Sequence, residues 1–103
     1  MIDMSLVMLY RTTVKPEAIE ELDEIRSQFS TIYTKHGIEV LGYWKKADES
    51  NESIYMVRYE SEGDYQDKIE ELHEDEDYIR LTAKLNSIRT DLTLEKLVPA
   101  QRR

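Results

Sequence analysis

The sequence has 103 residues, 40% of them hydrophobic, so we expect a single domain with its own core over residues 1–103. Its net charge of -8 disfavours nucleic acid and anionic membranes as partners, because both require a basic protein surface. The sequence contains no cysteine, which excludes disulfides and thiolate chemistry, and no apolar run approaches the roughly 20 residues of a membrane span.

The N-terminal segment predicts a strand. The first ten residues have neither the basic region nor the small-residue cleavage pattern of a signal peptide, so a cytoplasmic protein is expected. Leu6 to Val14 is rich in large apolar and β-branched residues and ends at Lys15-Pro16, which predicts the first strand there.

A helix is predicted from about Pro16 to His36. Proline suits the first turn of a helix, where its missing N–H loses no hydrogen bond. One apolar stripe then recurs at steps of three and four residues: Ile19, Leu22, Ile25, Phe29, Ile32 and Tyr33. Gly37 stands where a left-handed residue commonly ends a helix, and His36 is interpreted as a helix-end residue.

Two strands form a predicted hairpin between Glu39 and Glu60, with a polar turn from Asp48 to Asn51. Strict alternation puts Val40 and Trp44 on one face of the second strand, with Leu41 and Tyr43 on the other. In the third strand Tyr55, Val57 and Tyr59 share one face, opposite Ile54 and Met56. Both faces of the hairpin are therefore apolar, and both require cover.

The second helix is predicted in two pieces. Its first apolar stripe is Tyr65, Ile69 and Leu72, and the acidic cluster Glu74 to Asp77 interrupts it. A new stripe begins with Tyr78, Leu81 and Leu85. Ile88 to Leu97 alternates between apolar and polar residues, which predicts a last strand that Pro99 closes.

The order of elements predicts an α+β fold of the ferredoxin-like βαββαβ type: a four-stranded antiparallel sheet with helices on one face. The other face then stays open, and leaving its apolar side chains in water would cost several kcal/mol at about 25 cal/mol per Å². We therefore expect a homodimer with the sheets face to face. Aspartate at Tyr55 or Val57 is expected to break this dimer or abolish folding.

Short segments spread over nearly the whole chain resemble one family. They are Lys15-Pro16, Lys35-His36-Gly37, Leu41-Gly42-Tyr43-Trp44, Asn51-Glu52, Tyr59-Glu60, Asp75 to Tyr78 and Leu97-Val98-Pro99. In this order and spacing they resemble the NIPSNAP family. The resemblance implies pairing as a dimeric α/β barrel, in a superfamily that includes cofactor-independent monooxygenases, haem-degrading enzymes, isomerases and proteins with no established activity.

The chain also departs from that family. Its first strand reads Tyr10-Arg11-Thr12 where the family commonly has Arg-Thr-Tyr, so an arginine is expected on the opposite side. Tyr55 and Val57 stand where the family often has a His and a Trp, and Glu76 replaces a common Pro. A role that depends on that family histidine is therefore not supported.

Four residues on the strands are candidates for ligand binding. Tyr55 and Tyr59 share a face of the third strand and would offer two phenol groups to an enclosed ligand, with Arg11 or Tyr10 from the first strand. An apolar pocket with few polar groups suits a small aromatic or oxygenated molecule. The alternative is that these tyrosines only pack, since tyrosine is common in strands and interfaces.

His73 is a fifth candidate, because a helical histidine that faces the sheet could ligate haem or act as a base. Glu70-x-x-His73 has the spacing found in di-iron bundles, but those sites need the motif twice, so no metal site is expected. A solvated histidine on an acidic helix is the alternative interpretation.

Two classes of function stay open from the sequence. One is a NIPSNAP-like protein that binds a small hydrophobic or aromatic molecule in its barrel, with no cofactor expected; a cofactor-independent monooxygenase-like or haem-handling enzyme is its catalytic form. The other is a non-enzymatic dimeric interaction module, whose interior would be filled by side chains. Whether the protein is an enzyme is left open.

Overall fold

The computed structural model describes residues 3–48 and 50–100. Its strands are β1 (Leu6–Val14), β2 (Glu39–Lys45), β3 (Glu52–Tyr59) and β4 (Arg89–Leu97). Its helices are α1 (Ile19–Lys35), which follows a 3₁₀ turn at Pro16–Ala18, α2 (Glu62–His73) and α3 (Glu76–Ile88). Glu49, which belongs to the predicted hairpin turn, lies outside the described residues.

The four strands form one antiparallel sheet in the order β2-β3-β1-β4, which confirms the predicted ferredoxin-like α+β fold. Tyr10 of β1 pairs with Tyr55 of β3 on one side and with Leu94 of β4 on the other. All the helices pack on a single face of this sheet, and the main hydrophobic core lies between the two layers. No helix within the described ranges is both long and apolar enough to cross a membrane.

The ends of the helices match the sequence signals. Gly37 has a φ of 75°, in the left-handed region that glycine adopts without strain, and the Ile38 N–H donates back to the Tyr33 carbonyl at 2.9 Å. The predicted break in the second helix is confirmed. Asp75 separates α2 from α3 and caps α3, where its Oδ1 accepts hydrogen bonds from the N–H groups of Asp77 and Tyr78.

The second strand differs from the prediction because it contains a β-bulge. Val40 pairs with Val57, but the next partner, Met56, pairs with Gly42, so Leu41 is the extra residue. Val40 and Tyr43 therefore lie on the same face, toward the helices. The predicted grouping of Val40 with Trp44 is wrong, because an inserted residue reverses the alternation.

The helix-covered face of β3 carries Tyr55, Val57 and Tyr59. Tyr55 and Val57 are 0% exposed in the single chain, because the helices cover them. Of the two outcomes expected for an aspartate at either position, loss of the dimer named the wrong face of the sheet. Loss of folding stays the prediction, because a buried carboxylate there would disrupt the core of the protomer.

No helix of residues 3–48 and 50–100 packs on the other face of the sheet, which we call the open face. Along β3 it presents Ile54, Met56 and Arg58, and along β1 it presents Val7, Leu9, Arg11 and Thr13. Trp44 is 50% exposed there, and its indole lies over Gly42. Arg11 forms ion pairs with Glu52 and Glu95 on the strands beside it. The open face is thus an apolar patch crossed by paired charges.

Candidate functional site

A cleft of about 180 Å³ lies between the sheet and the helices, where β1 and β4 approach α1 and α3. Its lining combines aromatic rings, aliphatic side chains and two arginines: Tyr10, Arg26, Phe29, Tyr33, Tyr78, Thr82, Leu85, Arg89, Leu92 and Leu94. The rings contact one another, with Phe29 and Tyr78 centred 5.8 Å apart. The cleft opens beside β4, where Leu94 remains 52% exposed.

Arg26 is the most unusual residue of this cleft. It belongs to the face of α1 that packs on the sheet and is only 4% exposed. Its Nη2 donates to the Thr12 hydroxyl at 3.1 Å, and its guanidinium carbon lies 4.6 Å from the centre of the Tyr55 ring. Its Nε–H has no hydrogen-bond partner among the described residues, and no described carboxylate pairs with it. Within the described part of the chain, this buried positive charge therefore has no acidic partner.

Burial lowers the pKa of Arg26 below its ordinary value, while the nearby tyrosines Tyr33 and Tyr55 act in the opposite direction. A guanidinium remains protonated in proteins even when its pKa falls. The cleft therefore contains a permanent cation that is largely removed from water.

The phenol groups of the cleft are kept neutral. Burial raises the pKa of Tyr10 to about 12, an effect that the neighbouring Tyr33 hydroxyl partly offsets. Burial also raises the pKa of Tyr33 well above its ordinary value and raises that of Tyr78. At neutral pH these side chains therefore carry O–H groups that can donate hydrogen bonds.

Three of the predicted site residues lie on the helix-covered face. Tyr10 lines the cleft, and Tyr55 packs behind Arg26, with its hydroxyl 2.9 Å from that of Ser30. Tyr59 shares the face of Tyr55, as predicted, but it packs against Tyr65 at 5.0 Å and does not line the cleft. Its buried hydroxyl has no hydrogen-bond partner among the described residues.

The other two predicted residues lie apart from the cleft. Arg11 is on the open face, opposite Tyr10, in its ion pairs with Glu52 and Glu95. His73 is exposed at the end of α2, with its ring 6.2 Å from that of Tyr78. The described residues contain no group of three or more His, Asp or Glu side chains arranged to hold a metal ion.

Sequence reasoning missed Arg26, Tyr33 and Tyr78 as site residues. A signal was available for Arg26, which continues the apolar stripe at four residues after Leu22 and three before Phe29. An arginine within an apolar stripe is either a snorkelling surface residue or a buried cation. The choice between them depends on Thr12 and Tyr55, which are distant in sequence.

A second cleft of similar volume lies near the β2–β3 turn, lined in part by Ile19, Tyr43 and Lys45. Its cations are already neutralised. Lys45 pairs with Asp23 at 2.7 Å, and Lys46 lies within 3.8 Å of both Asp48 and Glu52. The first cleft is therefore the better candidate, since its charge is uncompensated.

Comparison with known proteins agrees with this architecture. The sequence model of the NIPSNAP family matches residues 8–97. No curated protein matches the chain. Among solved structures, a NIPSNAP family protein from Agrobacterium tumefaciens is similar with a TM-score of 0.80, 18% identity and 93% coverage of each chain.

Two further solved structures have similar folds. An uncharacterised NIPSNAP domain protein from Burkholderia xenovorans has a TM-score of 0.80 at 18% identity, over 92% of this chain and 94% of that one. SnoaB, a cofactor-independent oxygenase from Streptomyces nogalater, has a TM-score of 0.76 at 10% identity, over 95% of each chain. At such identities the similarity concerns the fold.

Proposed function

Since this chain belongs to the NIPSNAP family, we propose that it is a homodimeric protein that binds a small aromatic molecule in the cleft of each protomer. The observation that carries the proposal is the aromatic lining of the cleft between the sheet and α1 and α3. A largely apolar cavity with a few convergent polar groups is the usual form of a small-molecule site. Tyr10, Tyr33 and Tyr78 supply ring surfaces and, at their ends, hydrogen-bond donors.

The open face supports the dimer. Ile54 and Met56, both partly exposed, form its centre beside the buried Leu9, and the half-exposed Trp44 extends the patch onto β2. Contiguous exposed apolar surface of this kind marks an interaction site, and a sheet face is self-complementary under two-fold symmetry. The cleft opens on the opposite side of the sheet, so pairing through the open face leaves it accessible.

Binding is better supported than proton-transfer catalysis at this site. A general base must accept a proton near neutral pH, whereas burial keeps the cleft phenols protonated. The guanidinium of Arg26 is likewise a donor only. The side chains of the cleft are thus suited to hold a ligand.

The cytoplasmic location stays a prediction, which fractionation of cells that express the protein would test.

The test is a thermal-shift and ligand-observed NMR screen of one- and two-ring aromatic compounds. A ligand that binds the folded state raises the melting temperature by an amount that grows with the logarithm of the ratio of its concentration to its dissociation constant. Leu94→Trp should fill the mouth of the cleft and abolish the shift. Ile79→Trp, at an equally exposed position on α3, is the matched control and should leave it unchanged. A screen without hits, or hits that Leu94→Trp does not affect, would refute the proposed site.

A further inference from the structure

Arg26 is a buried cation for which the described residues provide no acidic partner. Removal of a cation from water is costly unless it is paired, and buried charges in proteins are normally paired or bound to a ligand. Arg26 has one neutral hydrogen bond, to Thr12, and the ring faces of Tyr55 and Phe29. Its unpartnered Nε–H belongs to a side chain that lines the cleft.

The distribution of charge points in the same direction. The whole chain has a net charge of -8, with 22 acidic residues against 14 basic ones. The lining of this cleft nevertheless includes Arg26 and Arg89 and no carboxylate. Neither arginine forms an ion pair with a described residue. Although the chain is acidic overall, the cleft at the largest cluster of aromatic side chains among the described residues therefore carries two positive charges without ion-pair partners.

The neighbouring hydroxyl groups fit the same kind of ligand. Tyr10 and Tyr33 line the cleft with Arg26, and neutral phenols can donate hydrogen bonds to an anionic oxygen. Charge-assisted hydrogen bonds to a carboxylate are about twice as strong as neutral ones, and a guanidinium can make two of them at once.

We propose that the ligand of this cleft is an aromatic carboxylate, whose carboxylate group is bound by the guanidinium of Arg26 and whose ring packs among Tyr33, Phe29 and Tyr78. The inference rests on the proposed small-molecule site and adds the charge and class of its ligand. Thr12 and Tyr55 position the guanidinium from the sheet side.

The experiment compares 2-naphthoate with 2-naphthamide, which share a ring system and differ in charge, by isothermal titration calorimetry at pH 7.5. The carboxylate should bind at least about tenfold more tightly than the amide, as expected for a charge-assisted pair. Arg26→Gln should remove this preference while the amide affinity changes by less than about twofold, and Arg26→Lys should keep part of it. Arg80→Gln, an exposed arginine paired with Asp77 outside the cleft, is the control and should behave as the parent protein.

The outcomes separate the two claims. Equal affinity for the carboxylate and the amide, both lost in Leu94→Trp, would overturn the carboxylate assignment and leave the aromatic site standing. Binding of neither compound would overturn both. Circular dichroism checks that Arg26→Gln is folded. If it is not, Leu94→Glu takes its place: a carboxylate at this exposed position should weaken 2-naphthoate selectively, and an equal effect on both compounds would refute the inference.

Discussion

The guanidinium carbon of Arg26 lies 4.6 Å from the centre of the Tyr55 ring, which joins a charged residue of α1 to the middle of the sheet. A cation–π contact of this kind contributes up to about 2 kcal/mol when desolvated. Burial of an unpaired charge costs more than that. Arg26 therefore lowers the free energy of unfolding, which is expected of a residue whose role is to bind a ligand.

Arg26→Met should not destabilise the protein. The methionine fills much of the same space without a charge, so it removes the cost of burying a cation that no described carboxylate pairs with. Urea unfolding followed by circular dichroism measures the change, which we expect to lie between zero and about 1 kcal/mol in favour of the variant. A loss above about 2 kcal/mol would identify Arg26 as a structural residue.

Met56→Asp should convert the proposed dimer to a monomer. Met56 lies at the centre of the open face beside Leu9, where pairing would bury the new carboxylate without a partner. Size-exclusion chromatography with light scattering measures the mass. Ile79→Asp, on the exposed side of α3, is the control and should remain dimeric. A monomeric parent protein at micromolar concentration would contradict the dimer itself.

Gly42→Ala should move the indole of Trp44. A Cβ at Gly42 would lie 2.6 Å from the ring, closer than any tolerable contact, but Trp44 is half exposed and can rotate away. The emission spectrum of this single tryptophan should therefore change, while the free energy of unfolding changes by less than about 1 kcal/mol. Gly63→Ala has room for its methyl group and should leave the spectrum unaltered.

The buried tyrosines of the folded protein should ionise only at a pH above the ordinary value of about 10. Six tyrosines have a pKa raised above the ordinary value, with burial as the largest cause: Tyr10, Tyr33, Tyr43, Tyr55, Tyr59 and Tyr78. At pH 10.5 the folded protein should show much less tyrosinate absorbance than the same protein unfolded in guanidinium chloride, because these six phenols ionise only after unfolding.

The same shifts predict how stability depends on alkaline pH. Above pH 10 the folded state holds protons that the unfolded state releases, so the free energy of unfolding falls as pH rises through the unfolded value of about 10. Below that pH the contribution is fully present. Urea unfolding at a series of alkaline pH values measures it, and a curve that stays flat up to pH 11 would contradict the assignment.

Asp75→Ala should weaken the corner between α2 and α3. Lys35 and His36 each place a nitrogen 2.7 Å from the Asp75 Oδ2. Their hydrogen bonds, first that of Lys35 and then that of His36, hold the pKa of this carboxyl well below its usual range, and the N–H groups that Asp75 caps act in the same direction. This stabilisation is present above the unfolded pKa of about 4 and is lost as pH falls below it. The melting temperature of the variant should be several degrees lower at pH 7, and this difference should become smaller as the pH falls from 5 to 3, where the unfolded carboxyl binds protons that the folded carboxyl does not. Asp77→Ala, an exposed residue of the same turn, should show a smaller effect.

The fold was predictable because its signals are local. Pro16, Gly37 and Asp75 mark helix boundaries through their own backbone preferences, and the apolar stripes depend on neighbours three and four residues away. The face assignments of β2 failed for the opposite reason. A bulge at Leu41 depends on how β2 pairs with β3, and the alternation in the sequence does not reveal it.

The site was only partly predictable. Tyr10 and Tyr55 were found because β1 and β3 are neighbouring strands in this fold, which brings their aromatic residues together. Arg26 was missed because a charged residue on a helix is usually solvated. Its burial results from contacts with Thr12, 14 positions before it in the chain, and with Tyr55, 29 positions after it. Such long-range contacts are not encoded in any single segment.

The bulge at Leu41 also bears on how the protein avoids fibres. β2 is an outer strand, and an outer strand with free N–H and C=O groups can recruit the strands of other molecules. An irregular strand is a poor template for such growth, because a partner cannot continue its hydrogen-bond spacing. Deletion of Leu41 would restore a regular edge strand, and we expect the resulting protein to assemble through edge-to-edge pairing of its sheets.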